Sequence, residues 1–116
     1  VLPLDQVPTL LNALDVAVIC NRDNEFGRYC FPQKAREIMA CRVPLIAARV
    51  GSMEELLMNQ PSWLFEPEDE TDLACAIEHR LYDRTTDYGS IPSWADLAKE
   101  MEILILKLLN GKTSSR

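Results

Sequence analysis

Apolar positions along this chain follow two alternating patterns. Leu4, Val7, Leu10, Leu11 and Leu14 fall three or four apart and predict a helix. Val16-Ala-Val-Ile-Cys20 is an unbroken apolar run, as expected of a strand covered on both faces. The polar stretch 21–30, with Gly27, reads as a loop. From Phe31 the period turns helical again: Phe31, Ala35, Ile38 and Met39 share a face, and Pro32 suits a first helical turn. Pro44-Leu-Ile-Ala-Ala48 predicts a second buried strand. Gly51 and Ser52, with Glu55 three residues after the serine, spell a capping box for a helix ending near Asn59. Trp63-Leu-Phe65 predicts a short third strand. Asp69 or Thr71 then caps a helix carrying Leu73, Ala74, Ile77 and Leu81. After a polar loop, 83–92, Ser93 caps a last helix with Trp94, Leu97, Ala98, Met101, Leu104, Ile105 and Leu108 on one stripe, and Gly111 stops it.

Buried strands separated by helices imply an α/β fold: a Rossmann-like parallel sheet flanked by helices, with right-handed crossovers. We expect one domain over 1–111, a closing helix over about 93–110 and a disordered tail at 112–116. Three short strands make a thin sheet whose edges need cover. The last helix also carries Ile103, Leu106 and Leu109 off its main stripe, so that half is apolar almost all round and calls for burial on two sides.

Composition narrows the function classes. The 116 residues are 47% hydrophobic and 26% charged, enough apolar content for a folded core. Twelve Lys and Arg against eighteen Asp and Glu leave a net charge of −6, which argues against nucleic acid as a partner. No apolar run approaches the roughly 18 residues of a membrane span. The chain opens at Val1 without a signal-peptide pattern or an initiator Met, so we expect a piece of something longer. Cys20, Cys30, Cys41 and Cys75 lack the paired spacing of a zinc site. Three of them lie in apolar surroundings, so we read reduced, structural thiols and a cytoplasmic protein. His79, beside Glu78 on a helix, reads as a surface residue, and no metal is expected.

Ligands of open parallel sheets bind beyond the carboxyl ends of the strands. Three segments converge there: Asn21 to Cys30, Arg49 to Ser52, and Glu66 to Asp69. The first two lead into helix N-termini, whose free N–H groups and dipole suit a phosphate. Gly51 allows close backbone approach and Ser52 offers a hydroxyl, although the pair also serves as a plain capping box. Lys34 and Glu37 sit three apart on a helix whose other face is core. By spacing alone they form a solvated surface with a minor ion pair.

The run Phe31 to Leu56 resembles the donor-binding half of retaining glycosyltransferases of the GT-B fold, in the large group-1, family-4-like set. The matching residues are Pro32, Lys34, Glu37, Met39-Ala40, Pro44-Leu-Ile-Ala47, Gly51 and Glu55-Leu56. Downstream, Trp63 to Asp69, Leu73 and Ala76-Ile77 are similar to the family's strand, acidic loop and helix. Trp94 to Ala98 is similar to the start of its closing helix, and Val7 to Ile19 to an upstream helix and strand. The resemblance implies that Glu37 accepts hydrogen bonds from the two ribose hydroxyls of a nucleotide-sugar, a task suited to a carboxylate. It also implies that the turn Phe31-Pro32-Gln33-Lys34 lies near the diphosphate or sugar, with Lys34 neutralising phosphate charge.

Three positions depart from the family pattern. A second glutamate, often eight residues before the ribose glutamate, is Tyr29 here. The turn glycine is replaced by Pro32, which has no N–H to offer. The glycine usual between Ala40 and Pro44 gives way to Cys41-Arg42-Val43.

The resemblance implies a partial C-terminal domain of a GT-B enzyme of polysaccharide biosynthesis, moving a sugar from a nucleotide-diphosphate sugar to a hydroxyl acceptor without a cofactor. The donor-binding residues would be Glu37, Lys34, Phe31, Pro32, Gln33, Tyr29, Gly51 and Ser52. The partner of the last helix would be an N-terminal acceptor domain or a second subunit. The chain alone would be inactive, and membrane association of the parent would rest with the acceptor domain. Two alternatives stand beside this: a GT-B nucleotide-sugar epimerase, and a non-catalytic nucleotide-binding or assembly module.

Overall fold

Three short strands build one parallel sheet in the order β1-β2-β3: β1 (Ala17–Ile19), β2 (Leu45–Ala48) and β3 (Leu64–Phe65). The computed structural model describes residues 1–113, with side chains described as far as Gly111. The helices are α1 (Val7–Asn12), α2 (Glu25–Tyr29), α3 (Gln33–Ala40), α4 (Ser52–Leu56), α5 (Glu70–Tyr82) and α6 (Trp94–Thr113). Leu4–Gln6 and Pro61–Trp63 are 3-10 turns. The α/β class and parallel flanked sheet read from the sequence are those observed. Ala17 pairs with Leu45 and Ala47 with Leu64.

The central strand explains the core. Leu45 and Ala47 join one apolar cluster with Leu11, Ala35, Ile38, Met39, Met53 and Trp63, so α1, α3 and α4 lie on that side. Ile46 and Ala48 join Phe65 and Ala76 in a second cluster, flanked by Leu73 and Ile77 of α5. Strand β2 is thus covered on both faces, as its unbroken apolar run requires. Strand β1 is not: Ala17 and Ile19 are buried but Val18 is 38% exposed. Helix α5 packs over β2 and β3 and leaves the outer face of this edge strand open.

Several local expectations are corrected. Segment 21–30 is not all loop, because Glu25–Tyr29 is helical and capped by Asn24, whose side chain accepts from the Gly27 N–H at 2.8 Å. A five-residue helix is too short for apolar periodicity to reveal. Pro32 is the N-cap of α3 rather than part of its first turn. The capping box at Ser52 does not form. Gly51, at φ +54°, is itself the N-cap, so Ser52 falls inside the helix and its hydroxyl reaches Cys30 instead. Asp69 rather than Thr71 caps α5. At the other end of the chain, Leu4 and Leu10 of the first apolar stripe are exposed, and only Leu11 is buried. No cysteine is buried: Cys20 and Cys75 are exposed, Cys30 and Cys41 half-buried, and all four are free.

The inward face of α5 also differs from expectation. Ala76 and Arg80 are buried, whereas Ala74 and Leu81 are exposed. Positions 73, 76, 77 and 80 share a helical face, and the charged residue among them is fully enclosed. Arg80 Nε donates to the Leu45 carbonyl at 3.2 Å, and its terminal nitrogens donate to the Asp83 and Thr85 carbonyls. Its plane lies over the Trp63 ring. Beside it, the Tyr88 hydroxyl donates to the Val43 carbonyl at 2.6 Å and accepts from the Leu45 N–H at 2.9 Å. These bonds fasten the irregular segment 83–93 to the amino end of β2.

Ser93 caps α6 as expected. Its Oγ accepts from the Asp96 N–H at 3.2 Å, while the Asp96 carboxylate accepts from the Ser93 N–H at 2.8 Å. The helix continues through Gly111 to Thr113, past the expected stop. Of the expected tail 112–116, two residues extend this helix and 114–116 lie outside the described residues.

Candidate functional site

The strand ends create the first feature. A cavity of about 370 Å³ opens at the carboxyl ends of all three strands, lined by Cys20 after β1, Ala48 of β2 and Phe65 of β3, with Asn21, Arg22, Glu68, Asp69, Glu70 and Leu73. The loops after β1 and β3 meet there, as parallel topology requires. One cation faces three carboxylates on its wall, so hydroxyl donors suit it better than phosphate. Glu68 is held at φ +64°, an unfavourable backbone for a residue with a Cβ.

A second cavity of similar volume runs beside α3. Phe31, Gln33, Arg36, Glu37 and Ala40 form one wall, and Ile91, Pro92, Ser93, Trp94 and Leu97 the other. The Arg36 guanidinium stacks 4.9 Å from the centre of the Phe31 ring. Glu37 accepts a 2.6 Å hydrogen bond from Lys34 Nζ, and both side chains are about half exposed. In the wall opposite α3, Ile91, Pro92 and Ser93 belong to the segment that Arg80 and Tyr88 hold in place, and Trp94 and Leu97 to the start of α6.

The candidate residues thus fall into three groups. Phe31, Gln33 and Glu37 share the second cavity, with Lys34 bonded to Glu37. Gly51 and Ser52 sit against the turn from α2 to α3: Ser52 Oγ donates to the Cys30 carbonyl at 3.3 Å. A Cβ on Gly51 would lie 2.3 Å from the Arg28 carbonyl oxygen, so the close approach that this glycine permits is made by the chain's own backbone. Pro32 caps α3, and Tyr29 stands apart at 89% exposure.

Arg22 and Glu68, which line the strand-end cavity, lie in two of the segments that sequence reasoning placed there, whereas Glu70, the first residue of α5, lies beyond them. What the sequence did not reveal is that Arg49 pairs with Glu66 at 2.8 Å across the loops that follow β2 and β3. Arg42 takes up the departure noted at 41–43. It ends α3 at φ +56°, with its N–H bonded to the Met39 carbonyl and the Val43 N–H to the Ile38 carbonyl. A glycine would relax there, but the Arg42 side chain donates to the Thr86 and Gly89 carbonyls, both at 3.2 Å. Among the described residues, no group of three or more His, Cys, Asp or Glu is placed to hold a metal ion, and no helix is long and apolar enough to cross a membrane.

Residues 1–83 match the family model for glycosyl transferases group 1. The match takes in the whole sheet, α1 to α5, and the first wall of the cavity beside α3. No curated protein and no solved structure matches the chain.

Proposed function

This chain belongs to the group 1 glycosyltransferases, and from that premise we propose that it binds the nucleotide-sugar donor in a GT-B enzyme that transfers sugar with retention. The observation that carries this reading is the Lys34–Glu37 pair beside the α3 cavity. The Glu37 carboxylate has lone pairs for both ribose hydroxyls. Lys34 offsets its charge, so that an approaching diphosphate is not repelled. The start of α3 adds the positive end of its dipole. Phe31 and Trp94 supply apolar ring faces on either wall of the same cavity.

In this reading the protein's contribution to catalysis is to stabilise charge on the departing diphosphate rather than to supply a nucleophile. The acceptor is bound by a separate domain, so the 116-residue chain binds donor without turning it over. The parent acts in the cytoplasm, in polysaccharide assembly.

The test is calorimetric titration with a panel of nucleoside-diphosphate sugars, using wild type and Glu37→Ala. The expected result is binding of one member, weakened in the variant by about 1.5–3 kcal/mol, the scale of a hydrogen bond to a charged group. Equal affinity in a folded Glu37→Ala protein would overturn the assignment. Sugar transfer by the chain alone would overturn the division of labour.

A further inference from the structure

We propose that Arg36, rather than Lys34, is the residue that grips the donor's diphosphate. The proposal rests on the donor-site reading above and assigns the anion contact within that same site. Gln33, Arg36, Glu37 and Ala40 recur at helical spacing and make one face of α3, which lines the cavity. The core face of Ala35, Ile38 and Met39 lies opposite. Lys34 lies off both faces and does not line the cavity.

The charges on this wall are unequal. Its charged residues are Arg36 and Glu37. Glu37 already accepts a 2.6 Å hydrogen bond from Lys34 Nζ, whose charge cancels its own. Nothing cancels Arg36: among the described residues its side chain has neither an ion pair nor a hydrogen bond. Its guanidinium is instead stacked 4.9 Å from the centre of the Phe31 ring. A chain of net charge −6 thus keeps an uncompensated cation in the wall of this cavity.

The stack suits Arg36 to an oxyanion. A ring face takes no conventional hydrogen bond, so the fork of N–H groups is left for a phosphate or a carboxylate. Resting on Phe31 also removes part of the rotamer freedom that a long side chain otherwise loses on binding. Lys34 would have to give up its carboxylate to do the same. In a nucleotide-sugar the oxyanion is the diphosphate, or the carboxylate of an acidic sugar. Covalent order selects the diphosphate. Glu37 is assigned to the ribose hydroxyls, the diphosphate is joined directly to the ribose's exocyclic carbon, and Arg36 is the neighbour of Glu37 on the same helix face.

The test is calorimetric titration of the 116-residue chain with UDP, ADP and GDP, their sugar conjugates, the matching nucleosides and inorganic pyrophosphate. Wild type, Arg36→Gln, Arg36→Lys and Glu37→Ala are compared, each with far-ultraviolet circular dichroism as the check on folding. One nucleoside diphosphate should bind, and Arg36→Gln should weaken it about tenfold. Arg36→Lys should lose less, because it keeps the charge but not the fork. Added salt should weaken binding to wild type more than to Arg36→Gln. The matching nucleoside should not distinguish the two proteins. If Glu37→Ala weakens the nucleoside diphosphate and Arg36→Gln does not, the proposal is overturned and the donor site stands. An equal loss for nucleoside and diphosphate would also overturn it, since Arg36 would then only shape the wall. So would a loss confined to the sugar conjugate, which would turn Arg36 towards the sugar. If pyrophosphate alone binds and Arg36→Gln abolishes it, the anion contact stands and the donor reading falls. Binding of none of these ligands would overturn both.

Discussion

The guanidinium carbon of Arg80 lies 4.1 Å from the centre of the Trp63 ring, and both residues are buried. Trp63 Nε1 donates in turn to the Asp83 carboxylate at 3.2 Å, and the Tyr88 ring meets Trp63 edge-on with centroids 5.5 Å apart. A cation, two aromatic rings and a carboxylate thus join α5, the turn before β3 and the segment 83–93. That segment supplies part of one wall of the cavity beside Glu37, through Ile91, Pro92 and Ser93. The cluster lies at the amino end of β2, so it supports the proposed site from behind without touching it.

Removing the guanidinium leaves the enclosed Leu45 carbonyl and the partly exposed Asp83 and Thr85 carbonyls each short of a donor, and empties a fully buried site. Arg80→Ala should cost about 3 kcal/mol or more in urea unfolding. Arg80→Lys should fall between the two, because a lysine keeps the charge but not the fork.

Acid should expose the role of Asp83. Hydrogen bonds from Thr85, and then from the Trp63 indole, lower its pKa from the ordinary 3.8 to about 2. Hydrogen bonds from Arg28 to Asp23 and from Ser93 to Asp96 act in the same direction. A depressed carboxylate contributes stability that is present above its unfolded pKa and is lost as pH falls through the folded one. Stability should therefore decline from about pH 4 towards pH 2, and Asp83→Asn should flatten part of that slope. An unchanged slope in the variant would refute the assignment to Asp83.

Gly51 tests the turn between β2 and α4. At φ +54°, with the Arg28 carbonyl 2.3 Å from the site of a Cβ, Gly51→Ala must displace backbone. The expected loss is at least about 2 kcal/mol, checked by thermal unfolding.

Arg42 offers a comparison with a definite sign. Arg42→Ala keeps the strain of φ +56° and loses two hydrogen bonds, whereas Arg42→Gly loses the same bonds and the strain. The glycine variant should be the more stable of the two by about 1 kcal/mol. Equal stabilities would mean that the backbone there relaxes.

Lys34→Met separates site from scaffold. Its ion pair with Glu37 is exposed at both ends, so global stability should move by no more than about 0.5 kcal/mol. Under the donor-site reading, affinity for a nucleoside-diphosphate sugar should nevertheless fall.

Much of this architecture was legible in the sequence. The apolar run 44–48, the face of Ala35, Ile38 and Met39, and the cap at Ser93 are written in residues a few positions apart, and local periodicity and capping chemistry act over that range. The parallel, helix-flanked sheet follows from their order. Chain separation marks where this legibility ends. Only the fold reveals that Arg80 is enclosed, because its partners Leu45 and Trp63 are 35 and 17 residues away, and a charged side chain reads as solvated until a carbonyl and a ring surround it. Only the fold reveals that Val18 is open while Ile46 is covered, since both sit in equally apolar runs and the difference is where α5 lands. And only the fold separates Glu37 from the cavity at the strand ends, which the order of loops along the chain could not do. Short-range pattern determined which elements form, and long-range packing decided which of their faces meet.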